Sequence, residues 1–418
     1  MKYRLFRTFL ALPLAAAFLW TGAARAADDS AQLFSKIDSI LAELSEITGM
    51  EVKHSVPSAT ITRPELKKFL DERIRETVKP EEIRAEELTL KKFGLVPQDF
   101  DLRKTTIDLL TEQAAAFYDM KKKKLFILDE AGSAEMQETV LVHELAHALA
   151  DQHFDLEKFI KGGGKNDDSA LARMGVMEGQ ASWLMAEWMA RRMGTSLAKS
   201  PAIARRMAAL TKEATGQFPV FEGAPLYMQI TLTFPYTEGM MFQHAVFERM
   251  GKESFKEVFR NPPVSTQQII HPELYFERRM PTTPALPRLP ETRGLKKLSE
   301  GAVGQLDHAV LIEQYVGKEE AERIAPKWRG GQFRLYDRKG NGPTLLTYAS
   351  DWEGEEAARS YFEMYSRIQA GKWKSRTVER ETANEVAGVG DDGHFVVRLV
   401  GTQVAVLEGL SRPAPATK

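Results

Sequence analysis

VLVHELAHALAD, residues 140–151, decides how this chain is read. His143 and His147 stand four residues apart, so on a helix they project from one face about one turn apart and can reach a single metal ion. Glu144, next to the first histidine, then lies beside a water on that metal. The flanks Val140-Leu141-Val142 and Ala148-Leu149 are apolar and helix-compatible, which puts the motif on a buried helix whose polar residues need a reason to be there. The plainer alternative is two histidines on a partly exposed face, each satisfied by water, and the apolar residues on both sides argue against it. The chain has no cysteine, so a zinc site must be built from His and carboxylates.

A catalytic zinc takes a third protein ligand and keeps one position open. A helix expected over about residues 169–193 carries Met177-Glu178-Gly179-Gln180, in which Glu178 is the one acid among mainly apolar neighbours and Gly179 allows another backbone to approach. Glu178 is therefore the expected third ligand. Asp167 and Asp168 read as N-cap residues of this helix. Residues 114–130 read as a β-hairpin, AAAFYD and LFILDE around MKKKK, with the lysines 121–124 in a solvated turn. The metal helix is expected over about residues 134–153. The glycines 162–164 lack the Lys-Ser/Thr of a phosphate loop and read as a connector.

VLVHELAHALAD, followed after about thirty residues by a helix with Glu-Gly, resembles the gluzincin zinc metallopeptidases, the thermolysin-like group that binds zinc through two His and a Glu. FPYTEG (residues 234–239) and PPVSTQQIIHPE (residues 262–273) look like an uncharacterised exported bacterial branch with the same zinc core. The resemblance covers roughly residues 112–275. It implies His143, His147 and Glu178 as zinc ligands, Glu144 as general base, and a hairpin strand that aligns an extended peptide. A donor to the tetrahedral oxyanion is sought among Tyr236, His244 and His271. Asp151 either orients a ligand or is simply solvated. The chain departs from the thermolysin-like pattern at Ser182, where that group has an Asp four residues after its ligand Glu.

Around this core the chain changes character. Residues 1–26 read as a signal peptide: basic Lys2, Arg4 and Arg7, an apolar stretch too short to span a bilayer, and Ala24-Arg25-Ala26 as a cleavage site. Its removal takes the formal net charge from −1 to −5, which argues against nucleic acid as partner. No Cys follows it for a lipid anchor, and no later segment is long and apolar enough to span a membrane. A periplasmic or secreted location is expected. Residues 27–111 form a charged helical region, either a support or a propeptide, with Leu33, Ile37, Ile40, Leu41, Leu44 and Ile47 on one face and a capping box from Thr62 to Glu65. Residues 112–280 hold the metal core, and residues 281–297, with Pro281, Pro284, Pro287 and Pro290, form an extended linker. Residues 298–418 form a module with strands QFRLYDR and TLLTYAS around the turn KGNG, a helix over about residues 355–369, and a terminal hairpin HFVVRLV/TQVAVLEG. His153 reads as structural, His54, His308 and His394 have no metal-like spacing, and Asp391-Asp392-Gly393 reads as a turn.

At 418 residues, 43% hydrophobic and 28% charged, the chain has material for a large core and is not wholesale disordered. The expected fold class is α+β: a mainly helical zincin-like core with a small sheet or hairpin beside the metal helix, plus a small C-terminal α+β module. The expected function is an exported Zn2+-dependent metallopeptidase acting on a protein or peptide substrate. The alternatives are a non-catalytic envelope protein on a zinc-stabilised peptidase scaffold, or a zinc hydrolase of a non-peptide substrate.

Overall fold

The computed structural model describes residues 14–16, 32–129, 134–163, 166–214, 218–290, 294–338 and 343–414. Most of the expected leader, Gly164, and the KGNG turn lie outside them.

Local periodicity builds the N-terminal helices. α1 (Ile37–Thr48) buries Ile37, Ile40, Leu41, Leu44 and Ile47, one apolar stripe at three- and four-residue steps. Gly49, at φ 68°, ends it in the left-handed conformation that glycine adopts without steric cost. α2 (Arg63–Thr77) begins at Thr62, which accepts from the Glu65 N–H while Glu65 accepts from the Thr62 N–H, the reciprocal cap read from the sequence. α3 (Pro80–Phe93) and α4 (Leu102–Gln113) follow.

A mixed four-stranded sheet backs the helix that carries His143 and His147. β3 (Ala114–Asp119) and β4 (Lys124–Leu128) form the expected antiparallel hairpin, with Phe117 opposite Phe126 and Tyr118 opposite Leu125. β2 (Ser58–Ile61) adds to β4 in parallel, and the three residues of β1 (Leu14–Ala16) pair with β3. Arg73 of α2 holds the buried Asp119 at 2.7 Å, and Asp119 accepts from the Lys121 and Lys122 N–H groups to shape the lysine turn. The N-terminal region is thus part of the same layer as the hairpin: it supplies a strand and an ion pair to it.

The helix that carries His143 and His147 is α5 (Ala134–Phe154), with α6 (Leu156–Lys161) after it. α7 (Asp167–Arg192) is buried on almost every side, packed between α5 and α9 (Leu226–Met250) with α8 (Pro201–Ala214) completing the layer. The N-cap of α7 is Asn166, whose side chain accepts from the Ser169 N–H at 3.1 Å. Asp168 is not a cap, contrary to the sequence reading. It is buried, and its Oδ1 accepts from the Thr266 N–H (3.1 Å) and Oγ1–H (2.5 Å). A tertiary partner outcompetes the local capping role.

α10 (Ser254–Arg260), α11 (Thr266–Ile270) and α12 (Pro272–Phe276) lead into the C-terminal module. There seven antiparallel strands run in the order β5-β6-β7-β11-β10-β9-β8: β5 (Leu295–Ala302), β6 (Trp328–Arg338), β7 (Leu345–Trp352), β8 (Arg376–Thr382), β9 (Glu385–Gly390), β10 (Gly393–Val400) and β11 (Gln403–Leu410). α13 (Gln305–Tyr315), α14 (Lys318–Ile324) and α15 (Gly354–Lys372) complete it, α15 lying against β7, β10 and β11. The fold is α+β, with separate sheets in core and module. The sequence reading found β6, β7, β10 and β11 but not β5, β8 or β9.

The proline-rich segment is a strap, not a free spacer. The Thr282 N–H donates to Arg329 O at 2.8 Å, Gln332 Nε2 donates to Pro284 O, and Thr347 Oγ1 donates to Pro287 O at 3.3 Å. With no N–H of their own, the prolines leave carbonyls for the sheet's side chains to use. α3 also docks on the module: Lys92 Nζ meets Thr344 O (2.8 Å) and Asp392 Oδ2 (2.7 Å), and Gly94 O accepts from Gln314 and Tyr315. No helix among the described residues is long and apolar enough to cross a membrane.

Candidate metal centre

α5 delivers both imidazoles, as the four-residue spacing requires. His143 Nε2 and His147 Nε2 lie 3.0 Å apart. Glu178 Oε2, from α7, lies 3.2 Å from each. A tetrahedral ion with bonds of about 2.0–2.1 Å holds its ligand atoms about 3.3 Å apart, so three converging donors at 3.0–3.2 Å fit a zinc-sized cation. Glu144 belongs to the same group: it, His143 and His147 bring ligand atoms within 4.8 Å of one another. All four side chains are buried, none more than 2% exposed as a residue.

The electrostatics suit a cation. Burial pushes the His143 imidazole below its ordinary value and takes His147 down to about 3, so both stay neutral, the form that ligates. Burial also raises the Glu178 carboxyl, against the lowering effect of His143 and Tyr236. Glu178 Oε1 has no hydrogen-bond partner among the described residues. Buried polar atoms in native proteins are rarely left so, and here acceptor-rich groups face one another without a positive charge among them.

The hairpin reaches the centre through Tyr118, which the sequence reading did not single out. Its N–H donates to Glu144 Oε2 at 2.7 Å, and its hydroxyl donates to Asp151 Oδ2 at 2.9 Å. Asp151 also receives Lys123 Nζ (2.6 Å) and the Leu156 N–H (2.8 Å). These partners mean it is not simply solvated, and its charge also acts on His147, one turn back on the same helix. Asp151 fastens the hairpin to α5, and its place one turn beyond His147 was the available signal. Lys123 does not simply face solvent in its turn: it adopts φ 53°, a left-handed conformation uncommon for lysine, and its ammonium lies on Asp151.

Of the three oxyanion-donor candidates, one is at the centre. Tyr236 is on α9, its ring stacked on His143 with centroids 6.0 Å apart, and its side chain is near enough to Glu178 to help hold that carboxyl down against burial. His244 is two turns further along α9, about 12 Å by the helical rise. It is buried and accepts from Trp183 Nε1 at 3.2 Å. His271 joins α11 to α12, its Nε2 3.1 Å from Gln305 Nε2 of the module. Neither His244 nor His271 stands with the metal-capable group, because each is a candidate by residue type alone, with no spacing to tie it to α5. His153 Nε2 rests on Glu51 O at 2.8 Å, a structural role.

Residues 293–416 match a family described as a domain of unknown function (DUF8575). That match covers the C-terminal module and does not extend to the candidate metal centre. No curated protein and no solved structure matches the chain.

Proposed function

We propose that the chain is an exported zinc metallopeptidase, with His143, His147 and Glu178 holding the metal and Glu144 as general base. One observation carries this reading: two neutral imidazoles and a buried carboxylate converge at 3.0–3.2 Å with a further carboxylate beside them. When bound there, zinc supplies Lewis acidity to a water and to the substrate carbonyl. Glu144 takes up the proton of the attacking water, its carboxylate oriented by the Tyr118 N–H. β3 carries that N–H; its outer edge is paired by residues 14–16, which fall in the expected leader, so removal of the leader would open that edge to an extended peptide. The basic, apolar, small-residue order of residues 1–26 supports export to the periplasm or medium.

A second reading, a non-catalytic envelope protein on a zinc-stabilised scaffold, is favoured by the complete burial of Glu144 and the engagement of its Oε2 by backbone. One experiment separates the two. The purified mature chain is analysed for metal and incubated with a mixed peptide library, beside Glu144→Gln. The peptidase reading expects about one zinc per chain and cleavage that falls by roughly 10²–10⁴ in the variant with zinc retained. Zinc-loaded, folded protein that cleaves no peptide overturns it in favour of the scaffold.

A further inference from the structure

We infer that Tyr236 is a positioning residue for the third metal ligand, brought near it by a close backbone crossing of α7 and α9 that depends on the missing side chains of Gly179 and Gly239. This rests on the metal-centre part of the reading above and not on peptidase activity.

The crossing leaves no space for side chains. A Cβ on Gly179 would stand 2.1 Å from the carbonyl carbon of Gly239, and a Cβ on Gly239 would stand 2.2 Å from Gly175 O. Both are far inside van der Waals contact, and the atoms met are backbone, which cannot swing aside. Gly179 directly follows Glu178. Gly239 lies one turn beyond Tyr236, on the same side of α9. The glycines therefore fix the separation of the two helices where one carries the ligand and the other the tyrosine. Sequence reasoning anticipates a close approach at Gly179, and FPYTEG, otherwise unexplained, supplies the other half of the contact.

Tyr236 spans two ligands from two helices. Its ring lies on His143 of α5, its side chain is near enough to Glu178 of α7 to favour the ionised carboxylate, and the residue is 8% exposed. A hydroxyl in that place holds the carboxylate's orientation. An oxyanion donor instead points to where substrate charge develops. Partners of this kind behind a metal ligand are worth 10–100-fold in metal affinity.

The test is zinc affinity, measured by competition with a chromogenic chelator, together with the visible spectrum of the cobalt(II)-substituted protein. Tyr236→Phe removes one oxygen and is expected to weaken zinc roughly 10–100-fold and to shift the cobalt bands, with turnover lost at limiting zinc and recovered by added zinc. Gly239→Ala should weaken zinc at least as much. Gly175→Ala is the control, because the nearest atoms to its Cβ belong to the flexible Ile269 side chain at 3.3–3.6 Å, not to the α9 backbone, and its zinc affinity should stay near wild type. If Gly239→Ala does not fold, Tyr236→Phe still decides. Unchanged zinc affinity and cobalt bands in Tyr236→Phe overturn the inference, and a turnover loss of about 10²–10³ that zinc does not restore would assign the oxyanion role instead. A wild-type chain that takes up no zinc defeats the metal centre and this inference together. One that binds zinc without cleaving peptides defeats only the peptidase reading.

Discussion

The helical core and the C-terminal module each bury a polar cluster, and the two are built on opposite plans. In the module, Lys372 and Glu408 meet at 2.7 Å with almost no exposure. Glu408 also accepts from Tyr365 and Gln369 at 3.0 Å, and Lys372 donates to Lys92 O. The charges cancel and the cluster is complete. In the core, the His143 and His147 ring nitrogens and the Glu178 carboxylate crowd to 3.0–3.2 Å of one another with no fixed countercharge, and Glu178 Oε1 has no partner among the described residues. A cluster that satisfies itself is explained by folding alone, whereas one that a cation would complete asks for a ligand.

That contrast can be broken in several ways. Lys372→Met leaves Glu408 buried without its countercharge and should cost about 3–5 kcal/mol in urea unfolding. Adding Glu408→Leu should recover most of that, and a double variant as weak as the single would show that the pair is not the unit.

Acid should act on the module through His308. Burial holds its folded-state value down to about 4, below the ordinary 6.5, while its Nε2 lies 2.5 Å from the Tyr348 hydroxyl oxygen. As pH falls through 6.5 the unfolded chain takes the proton first. Stability therefore drops between about pH 6.5 and 4 and levels off below, by roughly 3 kcal/mol for this group. Comparing urea midpoints across that range with those of His308→Gln checks it: the variant should show a shallower slope, and equal slopes would exclude His308 as the source.

Zinc should act on the core. At a free concentration a hundred times its Kd it should add about 2.7 kcal/mol, seen as a Tm that climbs with zinc and returns with chelator. A Tm indifferent to zinc removes the asymmetry between the clusters. The smallest effect is expected from Glu178→Gln in metal-free protein, less than about 1 kcal/mol, since no fixed countercharge is orphaned by the change. The same variant should lose the zinc increment. A metal-free loss as large as that of Lys372→Met would make Glu178 an ordinary structural carboxylate.

Much of the architecture is legible in one dimension because its causes are local. The apolar steps of α1, the Thr62–Glu65 cap and the alternation of β3 and β4 are set by neighbours within a few residues. The same holds for the two imidazoles, which helix pitch alone puts on one face. Legibility fails where a distant residue decides. Asn166, not Asp168, caps α7, because Thr266 claims Asp168. The prolines bind the module's sheet because β6 and β7 present donors to them. β8, whose residues RTVERET are mostly exposed, shows no apolar alternation and is held in place by β9. His244 and His271 are plausible as residue types, but Trp183 and Gln305 engage them elsewhere.

The amino-acid order by itself determined the face that could hold a metal: His143, Glu144 and His147 share one helix, and 3.6 residues per turn leaves them no other relation. Glu178 was nominated by its apolar neighbours, but its arrival within 3.2 Å of both imidazoles depends on how α7 lies against α5. Tyr236 and Tyr118 join the centre only through helix crossing and strand pairing, contacts that follow from packing between segments far apart in the chain, which no local periodicity encodes.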